Sequence, residues 1–313
     1  MNDVLVLDRA ATAAALEPRR LMAAVADALV AVARGTASAP PRTAAFAPGG
    51  LLGAMPGYVP GLGLAAKLVS VFADPAHEGR SSHRGIVALF DPEDGRPLAV
   101  MDAEPVTAWR TAAAATHSAL ALAGPGPVAV VGTGAQARAQ VLLLAALRPA
   151  DPVTVAGRDR AAARTLAGLH PAGSAADSVE SAVREAATVY CCTGATRPVL
   201  RRAWLAAGTH VSSVGGSHGP ELDEDTVRDA TLFAEWPGAA ATAPPSGAHE
   251  LQGLPPGRAV HLLGSVLCGE APGRTSADQL TVFKSTGHAA LDVAAAHVVH
   301  STHGGPRTDA PRG

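Results

Sequence analysis

A glycine-rich turn separates an apolar run from a helical pattern near the middle of the chain. The run 128–131 is followed by Gly132, Gly134 and Ala137, in the spacing G-x-G-x-x-A. In such a turn the first glycine allows a tight bend, and the second lets the backbone approach a pyrophosphate. The positive N-terminus of the next helix favours an anion. The pattern indicates a dinucleotide site, and an ordinary strand-to-helix turn is the alternative.

The residues after the next apolar run bear on which dinucleotide is bound. An NAD site usually has an acid here, which binds the ribose 2′-hydroxyl. In this chain Ala156 and Gly157 occupy the expected positions, and Arg158 follows them. Because a guanidinium pairs well with a 2′-phosphate, we predict NADPH as cofactor, with NADH less favoured. Alternatively, Arg158 and Arg160 only solvate the start of a helix.

Three cations in the first part of the chain form a second group of interest. Lys67 interrupts an apolar run, and Arg110 lies early in an alanine-rich helix predicted over 106–123 with Thr107 as its cap. A cation so near a helix N-terminus is unfavourable unless an anion is close. Together with Arg42, these side chains would make a carboxylate pocket if they converge. The alternative is three unrelated surface cations.

The composition excludes several classes of protein. Of the 313 residues, 48% are hydrophobic and 17% charged, which favours a folded chain of about two domains. Lysine and arginine total 25 against 27 acids, so we expect no nucleic acid and no membrane surface as partner. The three cysteines are odd in number and two are adjacent, which is typical of a reducing compartment. With no signal peptide recognisable, we predict a cytoplasmic protein.

The hydrophobic periodicity changes at Gly124-Pro-Gly-Pro127. Before it, a helix over 17–34 precedes short strands that end in a hairpin with its turn at 92–95, which indicates an antiparallel unit. After it, short apolar strands alternate with helices as far as residue 234, which is typical of parallel sheets. We therefore predict an α/β protein with a doubly wound parallel Rossmann sheet and a second α+β domain.

Motifs from about residue 40 to residue 292 resemble the ornithine cyclodeaminase and mu-crystallin family. In the first part they are Pro41-Arg42, Gly53-Ala-Met55-Pro56, Lys67-Leu-Val69, Gly95-Arg-Pro97-Leu-Ala99 and Arg110-Thr-Ala-Ala113. In the second part they are Gly132-Thr-Gly134-Ala-Gln-Ala, Cys192-Thr193-Gly194, Gly208-Thr-His210, Val214-Gly-Gly216-Ser217, Glu221-Leu-Asp223 and Thr281-Val-Phe283-Lys284-Ser285-Thr286-Gly287. The resemblance implies a substrate-binding and dimerisation domain over 1–122 plus 288–313, and a dinucleotide domain over 123–287. It also implies a homodimer.

The same resemblance assigns residues to two binding sites. The carboxylate of an imino or amino acid would be held by Arg42, Lys67 and Arg110, with Met55 beside them. Cofactor phosphates would contact Thr111, Gly132, Gly134 and the amides of Ala135 and Gln136. The nicotinamide side would be lined by Thr193, Val214 and Ser285 to Gly287.

One departure from the cyclodeaminase pattern affects the predicted reaction. Ornithine cyclodeaminases have an aspartate after the Val-Gly-Gly run, whereas this chain has Ser217 and then His218. Serine has no useful acid–base pKa near neutrality unless a partner activates it. A serine at this place resembles the ketimine reductase branch of the family. We take Lys67 and Ser217 as candidate catalytic residues, with Ser217, or water held by it or by His218, supporting the imine nitrogen.

The predicted activity is NADPH-dependent reduction of a small cyclic ketimine acid of the pyrroline- or piperideine-2-carboxylate type. The alternatives are an NAD-using ornithine cyclodeaminase that gives proline and ammonia, a non-catalytic NADPH-binding protein, and a dehydrogenase of open-chain amino acids or opines. No metal is predicted, because His297, His300 and His303 drift around their helix.

Overall fold

The computed structural model describes residues 4–72, 83–216 and 219–303. The chain divides into two compact units, Met1–Arg110 with His288–Gly313, and Thr111–Gly287. The division falls within the helix Ala103–Leu122, whereas the sequence-based boundary was placed after residue 122. Within the described ranges, no helix is both long and apolar enough to span a membrane.

The first unit is built on one sheet. Its strands are β1 (Leu5–Leu7), β2 (Thr43–Ala47), β3 (Gly50–Val59), β4 (Gly63–Phe72), β5 (His83–Phe90) and β6 (Pro97–Asp102). Its helices are α1 (Arg9–Ala15), α2 (Pro18–Ala33), the start of α3 (Ala103–Leu122) and the C-terminal helix Ala289–Thr302. The strand order is β1-β6-β5-β4-β3-β2. β1 pairs parallel with β6 and the other pairs are antiparallel, so the sheet is mixed.

One face of this sheet is covered by the C-terminal helix, which packs on β3 and β4. A Cβ built on Gly57 would lie 3.0 Å from the Ala289 Cβ, so this glycine permits the close approach of strand and helix. Since alternate residues of a strand point to opposite faces, Lys67 on β4 lies on the same face as Ala65, which pairs with Gly57. That face therefore carries the predicted lysine toward the helix.

The second unit contains a fully parallel sheet. Its strands are β7 (Val128–Val131), β8 (Val153–Ala156), β9 (Gly173–Ala175), β10 (Thr188–Cys191), β11 (His210–Ser213), β12 (Thr231–Ala234), β13 (Val260–Leu262) and β14 (Thr281–Lys284). Its helices are the rest of α3, then α4 (Ala135–Leu147), α5 (Arg160–Ala167), α6 (Val179–Val183), α7 (Glu224–Asp229), α8 (Gly238–Ala241) and α9 (Leu263–Leu267). The C-terminal helix is accordingly α10.

The strand order β13-β12-β14-β11-β10-β7-β8-β9 makes this sheet doubly wound. From β7 the chain adds β8 and β9 on one side, and then crosses to β10 on the other. The topological switch point therefore lies at the carboxyl ends of β7 and β10, where open α/β sheets bind ligands. The predicted fold class, a parallel doubly wound sheet with a second α+β unit, is confirmed.

Two local predictions are wrong. Thr107 does not cap the alanine-rich helix, because that helix begins at Ala103. Asp102 accepts a hydrogen bond from the Glu104 N–H at 2.8 Å and acts as the cap. The sequence also predicts a helix over 201–206, but this segment forms a 3₁₀ turn, Arg202–Trp204. Its first N–H donates to the Asp223 carboxylate at 3.2 Å, which fixes the turn from outside the segment.

Candidate functional site

The glycine turn has the geometry that its sequence predicts. Gly132 has φ of 122°, a left-handed value that favours glycine, and a Cβ there would lie 2.4 Å from the Cys192 carbonyl oxygen. Gly134 precedes α4 and offers no side-chain cap, so the N–H groups of the first helical turn are available to a ligand. A Cβ on Gly134 would meet nothing within 4 Å. This turn can therefore accept a phosphate.

Two buried oxygen atoms of the second unit also fit a polar ligand. Thr111 Oγ1 and Gln136 Oε1 are buried, and neither has a hydrogen-bond partner within the described part of the chain. A buried polar atom left unpaired is costly, so such atoms commonly mark a place where a ligand or water binds. Both residues were predicted to contact the cofactor phosphates. The residues present thus fit a dinucleotide cofactor.

The end of β8 carries the predicted selectivity residue. Asp159 is occupied as the cap of α5, where its Oδ1 accepts from the N–H groups of Ala161 and Ala162 at 2.8 and 3.0 Å. Arg160 Nη1 lies 3.2 Å from Asp177 Oδ1. Arg158 is exposed and makes no hydrogen bond or ion pair to any residue in the described ranges. Of the two arginines weighed from the sequence, Arg160 is paired with Asp177, whereas the Arg158 guanidinium has no partner in the part of the chain that the structure describes.

The residues predicted for the nicotinamide side follow three neighbouring strands. Thr193 comes after β10, Val214 after β11, and Ser285 after β14. Because these strands are parallel and adjacent, their carboxyl ends meet at one edge of the sheet. The structure therefore brings Thr193, Val214 and Ser285–Gly287 to the same edge as the glycine turn.

Buried charged residues that sequence reasoning did not assign lie under this edge. Lys284 is 1% exposed; its Nζ donates to Glu250 Oε1 at 2.9 Å, to Ser213 Oγ at 2.7 Å and to the Gly215 carbonyl at 3.1 Å. Glu221 is fully buried, and its Oε2 lies 3.9 Å from Lys284 Nζ. Glu221 belongs to a motif quoted from the sequence, but its contacts with Thr193 after β10 and with Lys284 on β14 depend on the fold and could not be read from spacing.

The first unit contains a buried cluster of charges. Lys67 and Arg110 are each 4% exposed, and both contact Asp292 on α10. Lys67 Nζ lies 2.9 Å from Asp292 Oδ2 and donates to Oδ1 at 3.1 Å, while Arg110 Nε donates to Oδ1 at 3.1 Å. Lys67 Nζ is also 3.4 Å from Thr107 Oγ1. Two of the three predicted cations therefore converge.

The cluster carries more positive than negative charge. Burial lowers the pKa of Lys67; the Asp292 carboxylate opposes this shift, and Arg110 and Arg42 add to it. Burial alone would raise the pKa of Asp292, but Lys67 and Arg110 outweigh it and the pKa lies below its ordinary value. Arg42 is half-buried and close enough for its charge to act on Lys67. A second anion would be stabilised in this field.

Among the described residues, the guanidinium of Arg110 is bound within this cluster through only one of its three nitrogens. Asp292 binds the Nε of Arg110, whereas the two terminal nitrogens have no hydrogen-bond partner in the described ranges. A guanidinium held in this way presents two parallel N–H donors, the pattern that a carboxylate accepts. Met55, which was predicted to line the same site, is opposite Lys67 on β3 and half-buried.

One residue of the site was missed from the sequence, and two candidate residues are not described by the structure. Asp292 was not assigned a role, although a single acid in the otherwise apolar sequence Ala-Ala-Leu-Asp-Val-Ala-Ala-Ala was a usable signal. Ser217 and His218 lie outside the described residues. In the described part of the chain, no group of three or more His, Cys, Asp or Glu residues is placed to hold a metal ion.

Comparison with known proteins decides the family. Residues 3–305 match the Ornithine cyclodeaminase/mu-crystallin family. The chain belongs to this family. It is 32% identical over 259 residues to the ketimine reductase mu-crystallin of Mus musculus, an alignment that covers 81% of this chain and 80% of the mouse protein.

Two solved structures have the same fold over nearly the whole chain. One is Delta(1)-pyrroline-2-carboxylate reductase of Thermococcus litoralis in complex with NADH and L-proline, with a TM-score of 0.79, 26% identity and coverage of 96% of this chain and 97% of that one. The other is the iminosuccinate reductase of Paracoccus denitrificans in complex with NAD⁺, with a TM-score of 0.85, 25% identity and 96% coverage of both chains. These relatives are reductases, which confirms the prediction of an oxidoreductase acting on C=N or CH–NH groups.

Proposed function

We propose that this protein reduces a small cyclic ketimine carboxylic acid, of the pyrroline- or piperideine-2-carboxylate type, to the cyclic amino acid with NADPH. The observation that carries the proposal is the guanidinium of Arg110, which Asp292 fixes through Nε beside Lys67. Its terminal nitrogens have no hydrogen-bond partner among the residues that the structure describes. Such a site suits one small carboxylate. The named activities of the mouse relative and of the Thermococcus litoralis reductase support the substrate class. The iminosuccinate reductase supports only the reduction of an imino acid, since its named substrate is an open-chain imine.

The residues of the cluster would bind and orient the substrate. Arg110 would hold the carboxylate, and Lys67 and Arg42 would add positive charge. Asp292 would keep the side chains of Arg110 and Lys67 in place. When bound, the nicotinamide supplies hydride to the carbon of the protonated imine. The task left to these residues is proximity and electrostatic stabilisation rather than nucleophilic chemistry. Ser217 remains our candidate to support the imine nitrogen.

The choice of NADPH rests on the residues that follow β8. No acid is free there to accept the ribose 2′-hydroxyl, because Asp159 caps α5, and Arg158 is exposed and unpaired within the described ranges. We propose that Arg158 binds the 2′-phosphate, while Thr111 and the first turn of α4 bind the pyrophosphate. Thr193, Val214, Ser285 and Gly287 would then contact the nicotinamide end.

We also propose that the protein is a homodimer through the first unit. The face of the six-stranded sheet opposite α10 carries exposed apolar side chains, among them Leu52, Leu64 and Ile86 at 50%, 37% and 41% exposure. An open apolar face of this kind is typical of an interface. Sedimentation should give twice the chain mass, and Ile86→Lys should shift it toward the monomer. A monomeric wild type would rule the dimer out.

A cytoplasmic location is supported by the three free cysteines, of which Cys191 and Cys192 are buried. Burial raises the pKa of both thiols, so neither is a reactive thiolate. Free thiols that take no part in chemistry are compatible with a reducing compartment.

The activity is tested by a panel of imino acids assayed with both reduced cofactors. We expect pyrroline-2-carboxylate and piperideine-2-carboxylate to consume NADPH, and ornithine to release no ammonia. Release of ammonia from ornithine without net loss of cofactor would favour the cyclodeaminase. Turnover of open-chain imines such as iminosuccinate alone would favour a dehydrogenase of acyclic substrates. Tight NADPH binding with no turnover of any compound would favour a binding protein.

A further inference from the structure

The loops that follow β10 and β11 are joined by one buried side chain. Glu221 Oε1 accepts hydrogen bonds from the Thr193 N–H at 2.7 Å and from the Thr193 hydroxyl at 2.6 Å. Its Oε2 accepts from the Gly215 N–H at 2.8 Å and from the Ser213 hydroxyl at 2.6 Å. The carboxylate is therefore saturated, with two donors on each oxygen, and it is fully buried.

A second buried carboxylate fixes the loop after β14. Glu235 is 1% exposed; its Oε2 accepts from the Ser285 hydroxyl and its Oε1 from the Thr286 N–H, both at 2.8 Å, and Oε1 also accepts from the Gly287 N–H. Buried glutamates therefore bind all three loops that are proposed to contact the nicotinamide end. Glu221 binds the loops after β10 and β11, and Glu235 binds the loop after β14. These hydrogen bonds restrict the conformations that the loops can adopt.

The two glutamates differ in what an amide would do in their place. At Glu221 each oxygen faces a backbone N–H, so the NH₂ group of a glutamine must oppose either Thr193 or Gly215. At Glu235 both backbone donors meet Oε1, and Oε2 faces only a hydroxyl, which can rotate. A glutamine in place of Glu235 can therefore keep both backbone hydrogen bonds. A glutamine in place of Glu221 must lose the backbone hydrogen bond to one of the two loops.

We propose that Glu221 is a positioning residue for the nicotinamide end of the cofactor, acting through Thr193 and Gly215. This inference rests on the proposed function, because it takes Thr193 and Val214 as nicotinamide contacts. The carboxylate does not touch the reacting atoms; it sets the distance between the loops that follow β10 and β11. Lys284, 3.9 Å from Glu221 and paired with Glu250, keeps a positive charge beside it.

The test compares the whole cofactor with a fragment that lacks nicotinamide. Affinities of NADPH and of 2′-phospho-ADP-ribose, and of NADH and ADP-ribose, are measured by titration calorimetry for the wild type and for Glu221→Gln. We expect the variant to bind the preferred cofactor about tenfold more weakly while the affinity for the matching fragment changes less than about twofold. Glu235→Gln should lose less than Glu221→Gln, and the exposed Glu224→Gln on α7 should match the wild type.

Thermal melting of each variant separates misfolding from local release. If Glu221→Gln does not fold, Glu221→Asp serves instead, because its carboxylate is one methylene too short to reach both loops. An unchanged ratio of cofactor to fragment affinity in a folded variant would overturn the inference. A wild type that binds neither cofactor would overturn the proposed function, and with it this inference. A wild type that binds cofactor no better than its fragment would show that the nicotinamide end is not held.

Discussion

At the scale of single residues, Asp292 organises the first candidate site. It binds both Lys67 and Arg110 in a place from which water is nearly excluded, and it leaves the ends of the guanidinium for another anion. The sequence predicted the two cations but not their counterion, although an acid in an otherwise apolar helix differs from its neighbours. Its partners are 225 and 182 residues away in the chain, so no spacing could reveal them.

Replacement of this aspartate tests its role. Asp292→Asn removes the negative charge and leaves two buried cations uncompensated, so we expect a loss of about 3 kcal/mol in the free energy of unfolding. The KM for the imino acid should rise, because Arg110 is no longer fixed through Nε. Urea unfolding and steady-state kinetics measure the two effects, with the exposed Asp225→Asn as control. Unchanged stability and unchanged KM would remove Asp292 from the site.

The choice of cofactor also depends on one residue. Arg158→Asp replaces the unpaired guanidinium by an acid that can accept the ribose 2′-hydroxyl, so we expect the ratio of kcat/KM for NADPH over NADH to invert. Arg164→Asp, on the exposed side of α5, makes the same charge change and should keep the original ratio. If the ratio survives Arg158→Asp, the 2′-phosphate lies elsewhere.

At the scale of elements, a strand with a continuous apolar run was predicted correctly. A strand that depends on contacts with distant residues was missed. β7 has the bounds that its continuous apolar run indicates. β14 was not predicted as a strand, although it lies between β11 and β12 in the sheet. Its four residues end in Lys284, and that lysine can be buried only because Glu250, Ser213 and Gly215 receive it. These partners are set by the fold and not by the local sequence.

The glycine turn distinguishes two requirements for glycine. At Gly132 an alanine would need a left-handed backbone and would collide with the Cys192 carbonyl, so we expect Gly132→Ala to lose about 3 kcal/mol of stability. At Gly134 a methyl group meets no protein atom, so Gly134→Ala should keep wild-type stability and lose about tenfold in cofactor affinity. Unfolding and cofactor titration on both variants check this. Equal behaviour of the two would contradict the assignment of the pyrophosphate to this turn.

At the scale of the whole molecule, the sequence predicted the fold class and the family correctly. It did so because the dinucleotide unit has strong local signals and because the family motifs span most of the chain. The buried networks that hold the loops were not accessible in this way. His210 is another example: its Nε2 is 3.0 Å from Ser118 Oγ and its Nδ1 is 2.9 Å from Thr281 Oγ1, which links α3, β11 and β14.

This histidine makes the stability of the fold depend on pH. Burial, with a smaller effect of Arg274, lowers the pKa of His210 to about 3. An unfolded histidine has a pKa of about 6.5. Between pH 6.5 and pH 3, therefore, the unfolded chain binds a proton at this residue and the folded chain does not. The free energy of unfolding consequently falls as the pH falls. Between pH 7 and 5 the loss from this group is about 2 kcal/mol. We expect His210→Gln to show a shallower decline in urea unfolding; an equally steep decline would contradict the assignment.

Substrate recognition by this protein depends, in our proposal, on binding of the substrate carboxylate to the cluster of Lys67, Arg110 and Asp292. The most direct test compares 1-pyrroline-2-carboxylate with 1-pyrroline, which has the same ring and imine but no carboxylate. We predict that wild-type kcat/KM with NADPH favours the acid by about a hundredfold or more, and that Arg110→Met reduces this ratio while leaving NADPH affinity unchanged. Equal use of the two imines by the wild type would contradict the account.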